Sequence, residues 1–139
     1  MRAVSKSVAL LMRNAYQRVD GEVLSALAAA GYDEIQPGHG IVLRNLGEDG
    51  ARPSEIAARA EVTRQAVTKV LDDLERLNVV RREPDPDDGR GVIVHYTPYG
   101  LSGLRVARAR MDELEGEFAA HVGSKRWEIT RAVLEKLFE

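Results

Sequence analysis

Arg64, Gln65, Thr68 and Lys69 are the side chains best suited to chemistry with a partner. Two neighbours, then two more one turn later, fall on one side of a helix of about 3.6 residues per turn. The set offers a guanidinium, an ammonium, an amide that both donates and accepts, and a hydroxyl. Such groups can bond base edges and phosphates in a major groove. No acid lies between Val62 and Leu71, and Asp72, Asp73 and Glu75 come only afterwards. Taken alone, the stretch is accounted for equally well as a solvated amphipathic helix.

The surrounding elements narrow the reading. Ala66, Val67, Val70, Leu71, Leu74 and Leu77 keep the three- and four-residue steps of one apolar helix face. Thr63 stands at the N-cap, and Asn78, which tolerates left-handed backbone, ends the run. Upstream, Pro53 to Ala60 reads as a short helix with Pro at its start and Glu55 in its first turn. Two helices joined by a turn of about three or four residues make a helix-turn-helix. Downstream, Val79 to Glu83 and Gly91 to Tyr96 are β-branched runs around a Pro/Asp/Gly cluster, the pattern of a hairpin with a polar tip. The expected fold is therefore mainly α with a small β-hairpin wing, a winged helix-turn-helix. Arg81, Arg82 and Arg90 add positive charge to the wing.

With these pieces in order, the chain resembles the multiple-antibiotic-resistance regulator (MarR) family of bacterial transcription factors. The resemblance is carried by Ser54-Glu55-Ile56-Ala57, Thr63-Arg64-Gln65-Ala66-Val67-Thr68, Asp88-Gly89-Arg90 and Tyr96-Thr97-Pro98-Tyr99-Gly100, within roughly residues 37 to 100. It departs from the family pattern at Glu61 and Asn78, where Gly is usual, and at Tyr96, where Leu is usual. Glu61 places a negative charge near the expected groove.

The resemblance implies a homodimeric, sequence-specific DNA-binding regulator on a palindromic operator, a repressor relieved by a small ligand. Its DNA-facing residues would be Thr63, Arg64, Gln65, Thr68, Lys69, Arg81, Arg82, Asp88 and Arg90, with Asp88 pairing with Arg90 to aim it. It also implies a small aromatic or phenolic effector in a cleft between the DNA lobe and the dimer helices. Tyr16, Tyr32, His39 and Tyr99, aromatic groups with polar tips, are candidates to line that cleft. Ordinary packing at lobe junctions accounts for them equally well.

Outside the lobe, residues from about 4 to 30 read as one long helix. Val8, Leu11, Ala15, Val19, Val23, Ala26 and Ala30 set its rhythm. Pro37 opens a second helix carrying Ile41, Val42, Leu43 and Leu46. After the wing, Thr97 caps a helix running to Val122-Gly123, and Ser124 caps a last one bearing Trp127, Val133, Leu134, Leu137 and Phe138. These apolar faces exceed what a winged helix needs for its own core, and a second subunit is their expected cover. The organisation expected is one domain over residues 1–139. A DNA-binding lobe spans about 33–97, and dimerisation helices span about 4–30 and 98–139.

Composition bounds the alternatives. A chain of 139 residues with 44% hydrophobic and 30% charged residues suits one ordinary globular domain. The absence of Cys removes disulfides, thiol redox sensing and cysteine-ligated zinc. A net charge of −2 leaves the partner to be decided by how charge is distributed. No apolar run approaches a membrane span, the start is too short an apolar stretch for a signal peptide, and the cytoplasm is the expected compartment. His39, His95 and His121 lack metal-ligand spacing, and Gly38-His39-Gly40 lacks the context of a phosphate loop. Asp85, Asp87 and Asp88 resemble half a calcium loop without its closing glutamate. No catalytic set stands out, so neither an enzyme nor a cofactor is expected. The alternative to a DNA-binding regulator is a winged-helix protein-interaction module. The acid-free first half of the Val62–Asn78 helix and the wing arginines favour DNA.

Overall fold

A computed structural model describes residues 6–137; the sequence expectations that rest on residues 4 and 5 and on Phe138 lie outside them. In chain order the elements are α1 (Val8–Ala29), a 3-10 turn (Pro37–His39), α2 (Gly40–Leu43), α3 (Pro53–Ala60), α4 (Arg64–Arg76), β1 (Val80–Asp85), β2 (Asp88–Tyr96), α5 (Pro98–Val122) and α6 (Ser124–Leu137).

The local signals act as expected at most helix ends. The Ser7 side chain accepts from Leu10 N–H, Thr63 from Ala66 N–H and Thr97 from Gly100 N–H. Each hydroxyl satisfies one of the backbone donors that a helix start leaves unpaired. Glu61 closes α3 with a left-handed backbone (φ 53°, ψ 41°), and Asn78 does the same after α4 (φ 60°). Gly100, the last residue of the Tyr96-Thr97-Pro98-Tyr99-Gly100 motif, stands at the start of α5. A Cβ there would lie 2.0 Å from the Val79 carbonyl oxygen, so only glycine allows α5 to cross the wing root so closely.

The core fills the winged-helix lobe. Val42, Ile56, Val67, Leu71, Leu74 and Val94 are fully buried where α2, α3 and α4 meet the hairpin. β1 and β2 pair antiparallel from Val80–Tyr96 to Pro84–Val92, and Ala51 adds an isolated bridge to Val94. α1 and α5 pack side by side, and α6 folds back on α5, where the tilted rings of Phe118 and Trp127 meet with centroids 5.1 Å apart.

Four expectations change. The segment after Pro37 is a 3-10 turn followed by a four-residue helix rather than one longer helix. The hairpin is longer than its β-branched runs, because Pro84, Asp85 and Asp88–Arg90 extend the strands and only Pro86 and Asp87 turn. Ser124 is the first residue of α6 instead of its cap, and the Gly123 carbonyl accepts from Trp127 N–H. Not all of the apolar surface expected to need a second subunit does so: Leu27 of α1 is covered by its own chain. Much of the remaining apolar surface is open. Val8, Leu11, Ile129, Val133 and Leu137 are all exposed, and α6 buries none of its described residues.

Candidate nucleic-acid interface and effector cavity

α4 presents its polar face to solvent. Thr63, Arg64, Gln65, Thr68 and Lys69 are all exposed, while Val67, Leu71 and Leu74 anchor the opposite side in the core. The Thr68 hydroxyl donates back to the Arg64 carbonyl at 3.0 Å. Among the described residues neither Arg64 nor Lys69 forms an ion pair, whereas the acids of the same helix do.

Asp73 pairs with Arg76, and Arg82 occupies the other two of those acids. Its Nε donates to Glu75 and its Nη2 to Asp72, each at 2.6 Å. The Asp72 bond does most to raise the Arg82 pKa above its ordinary value. Arg81 is committed too, with Nε on Glu83 at 2.6 Å and Nη1 on the Tyr96 carbonyl at 2.9 Å. Both guanidiniums, expected from the sequence to face DNA, thus brace the wing root against α4 and β2. Their alternation along β1 could not reveal which acids they would meet.

Arg90 differs. Between the pairs Pro84–Val92 and Asp85–Asp88, the residues Gly89, Arg90 and Gly91 have no partner on β1, so Arg90 rides on a bulge at the wing's outer end. It is exposed, and its guanidinium forms no ion pair among the described residues. Asp88 does meet Arg90, but through the backbone: Oδ1 accepts the Arg90 N–H at 3.1 Å. The guanidinium–carboxylate pair implied by the resemblance is replaced by an Asp-type turn that shapes the bulge.

A cavity of about 670 Å³ opens between the lobe and the long helices. α1 contributes Tyr16, Val19 and Val23, the loop after it Tyr32 and Ile35, α2 Leu43, the turn after α2 Arg44, and α5 Leu104, Ala107 and Met111. Of the four aromatic candidates, Tyr16 and Tyr32 line it; His39 and Tyr99 do not. His39 is buried beside the cavity, its Nδ1 accepting from Gln36 N–H at 3.0 Å. Tyr99 lies behind Tyr32, rings 4.6 Å apart, and its carbonyl takes the Tyr32 hydroxyl at 2.9 Å.

Other lining residues were not singled out by sequence reasoning. Arg44 lies 5.3 Å over the Tyr16 ring and pairs with Asp20 at 3.0 Å. Arg59 donates to the Asn45 carbonyl at 2.9 Å, and Arg108 pairs with Glu48. Tyr96 supplies part of the wall and donates its hydroxyl to the Leu43 carbonyl at 3.0 Å. Burial pushes its phenol up to about 12, because a phenolate there would be desolvated. Its place where the family usually has Leu was the one available signal. The arginines gave none, since only the fold brings α2, α3 and α5 around one space.

The arrangement defines a winged helix-turn-helix with an exposed cationic helix face, joined to long helices with a cavity at the junction. The MarR family model matches residues 34–91. The HTH-type transcriptional repressor MdtR of Bacillus subtilis (strain 168) is 30% identical over 130 residues, 85% of this chain and 82% of that one. An uncharacterized HTH-type transcriptional regulator of Mycobacterium leprae (strain TN) is 31% identical over 98 residues, 70% of this chain and 68% of its own. The fold is shared with MarR family transcription regulator SP03579 (TM-score 0.74, 20% identity, 91% of this chain and 82% of that one). It is shared as well with a MepR variant of S. aureus bound to an oligodeoxyribonucleotide (TM-score 0.61, 22% identity, 96% and 97%). The chain belongs to the MarR family of transcriptional regulators.

Proposed function

We propose that the protein is a homodimeric, sequence-specific DNA-binding regulator, a repressor acting in the cytoplasm on a palindromic operator and relieved by a small aromatic or phenolic effector. The observation that carries this reading is the state of α4. Arg64, Gln65, Thr68 and Lys69 are exposed on its first two turns, while Arg82 covers Asp72 and Glu75 behind them. A polyanion approaching the first half of the helix meets donors without opposing carboxylates. Thr63 at the N-cap and Arg90 on the wing extend that face, one toward the backbone at the helix start and the other toward phosphate or a narrow minor groove.

Residues of about 33–97 then serve as the DNA-binding lobe, and those of about 4–30 and 98–139 as dimerisation helices. The open apolar surface on α1 and α6 supports the second assignment. The cavity supports the effector: its walls are mostly apolar, and the Tyr16 hydroxyl, which has no hydrogen bond among the described residues, can orient a ring substituent beside the Asp20-paired guanidinium of Arg44. Selecting bound fragments from a random DNA library tests the reading. Enrichment of a palindrome with half-sites about one helical turn apart is the expected result. Recovery of no preferred sequence would favour a protein-interaction module instead.

A further inference from the structure

Asp85 is the buried acid of the wing, 3% exposed, at the outer end of β1. One carboxylate oxygen, Oδ1, accepts the Asp87 N–H at 3.0 Å and so closes the hairpin turn. The other, Oδ2, takes the Nε–H of Arg52, the residue immediately before α3. Arg52 is itself placed by local structure. Its N–H donates to Glu55 Oε2 at 2.7 Å in the cap of α3, and its neighbour Ala51 exchanges two backbone bonds with Val94, at 3.0 and 2.8 Å. Val94 pairs with Arg82 in the hairpin, three residues before Asp85. At about 3.3 Å per residue the strand therefore reaches roughly 10 Å beyond the Ala51 bridge. Beyond Arg82 and its α4 partners, the described ion pairs from outside the hairpin are those of Arg52, to Asp85 and, at 3.9 Å, to Asp87.

The pinned residue also closes the bulge. Asp85 pairs with Asp88 and Pro84 with Val92, and Arg90 sits in the unpaired residues between. Gly91 packs against the Asp85 side chain, where a Cβ would come within 3.4 Å of the Asp85 Cβ. A carboxylate this buried needs its cation, and Arg52 holds the Asp85 carboxyl below the usual carboxylate range, chiefly through that hydrogen bond.

We propose that Arg52 is a positioning residue for DNA binding: by holding Asp85 it fixes the outer end of the wing to the start of α3 and sets where Arg90 meets the DNA. The proposal rests on the reading that α4 and the wing bind DNA. The arrangement ties the wing to the same helix-turn-helix unit that presents α4, so the two contacts reach the duplex in fixed register. Arg52 works through the wing and makes no contact of its own.

The test measures DNA binding by the full chain over a salt series, on the selected operator and on random duplex, for Arg52→Ala, Asp85→Asn, Arg90→Ala, Arg64→Ala and the Arg52→Ala/Arg90→Ala double variant. Arg52→Ala and Asp85→Asn are expected to reproduce the loss seen in Arg90→Ala. Both should lower the salt slope by roughly one to two per dimer, with base preference unchanged. The double variant should match Arg90→Ala alone. Amide exchange at Asp87 and Arg90 should quicken in Arg52→Ala, with α4 amides still protected, which separates a loosened wing from a failed fold. If Asp85→Asn does not fold, Arg52→Ala carries the test, because it leaves the Asp85–Asp87 turn bond in place. Wild-type affinity and slope in Arg52→Ala, beside a clear loss in Arg90→Ala, would overturn the proposal. So would a further loss in the double variant, which would make Arg52 a direct DNA contact. If Arg64→Ala and Arg90→Ala both bind like wild type, the DNA-binding reading itself fails and the anchor falls with it.

Discussion

Asp88 and Arg90 meet through the backbone, the carboxylate oxygen accepting the Arg90 N–H at 3.1 Å and leaving the guanidinium unpaired among the described residues. Asp88 therefore shapes the bulge and Arg90 projects from it. Asn can accept the same bond through its amide oxygen. Asp88→Asn should keep wild-type DNA affinity, Asp88→Ala should lose part of it, and Arg90→Ala more. Arg90→Ala should weaken specific and random DNA alike and lower the salt slope by roughly one to two per dimer, with an unchanged melting temperature. A loss in Asp88→Asn as large as in Asp88→Ala would point back to an ion pair.

Arg64 and Gln65 stand in the first turn of α4, exposed and without ion pairs among the described residues. Losing one bidentate base contact costs about 1–3 kcal/mol and relaxes preference at that base pair. Alanine at either position should flatten one operator position while leaving the others sharp. An unaltered binding motif in both variants would mean that α4 is not the reader.

Arg82 should behave as the opposite of Arg90. Its two bonds join β1 to the second half of α4, so Arg82→Ala should lower the stability of the lobe by on the order of 1 kcal/mol. The salt slope of DNA binding should change little, because the guanidinium is already occupied by Asp72 and Glu75. A drop in slope equal to that of Arg90→Ala would show that Arg82 leaves these acids for phosphate.

Tyr96 makes the fold sensitive to alkali. The unfolded phenol ionises near 10.0, and in the folded chain burial pushes it up to about 12. The folded state thus keeps the proton longer, so the stabilisation is complete below the unfolded value and is lost as pH rises through that window. At about 1.4 kcal/mol per unit the total is about 2–3 kcal/mol. The stability difference between wild type and Tyr96→Phe should accordingly shrink from pH 9 to pH 12. A difference constant across that range would remove Tyr96 as the cause.

The open apolar faces predict an obligate dimer. Ile129, Val133 and Leu137 of α6 are more than half exposed in the isolated chain, beside Val8 at 65% on α1. Such a surface is more than a soluble monomer normally carries. Light scattering at micromolar concentration should give twice the chain mass of 15.4 kDa. A folded monomer there would sink the two-fold arrangement.

Much of this protein is legible residue by residue, where the determining interactions are local. The span of α4 follows from the Thr63 cap, the apolar steps to Leu77 and the left-handed Asn78, each acting on neighbours within about one turn. The order of helices and hairpin follows likewise, as does the acid-free first half of α4. What the sequence could not assign was the partner of each charge. Arg81, Arg82 and Arg90 are alike on paper, yet the fold carries Asp72 and Glu75 to one, Glu83 and the Tyr96 carbonyl to another, and leaves the third on a bulge. Tyr16 and Tyr32 share a cavity while Tyr99 and His39 miss it, because helix rotation and crossing decide which side of a ring faces the gap. Arg52 meets Asp85 across 33 residues of chain. Spacing in sequence reports neighbours one turn or one strand step away; contacts between elements depend on packing the whole core, and that only the tertiary structure decided.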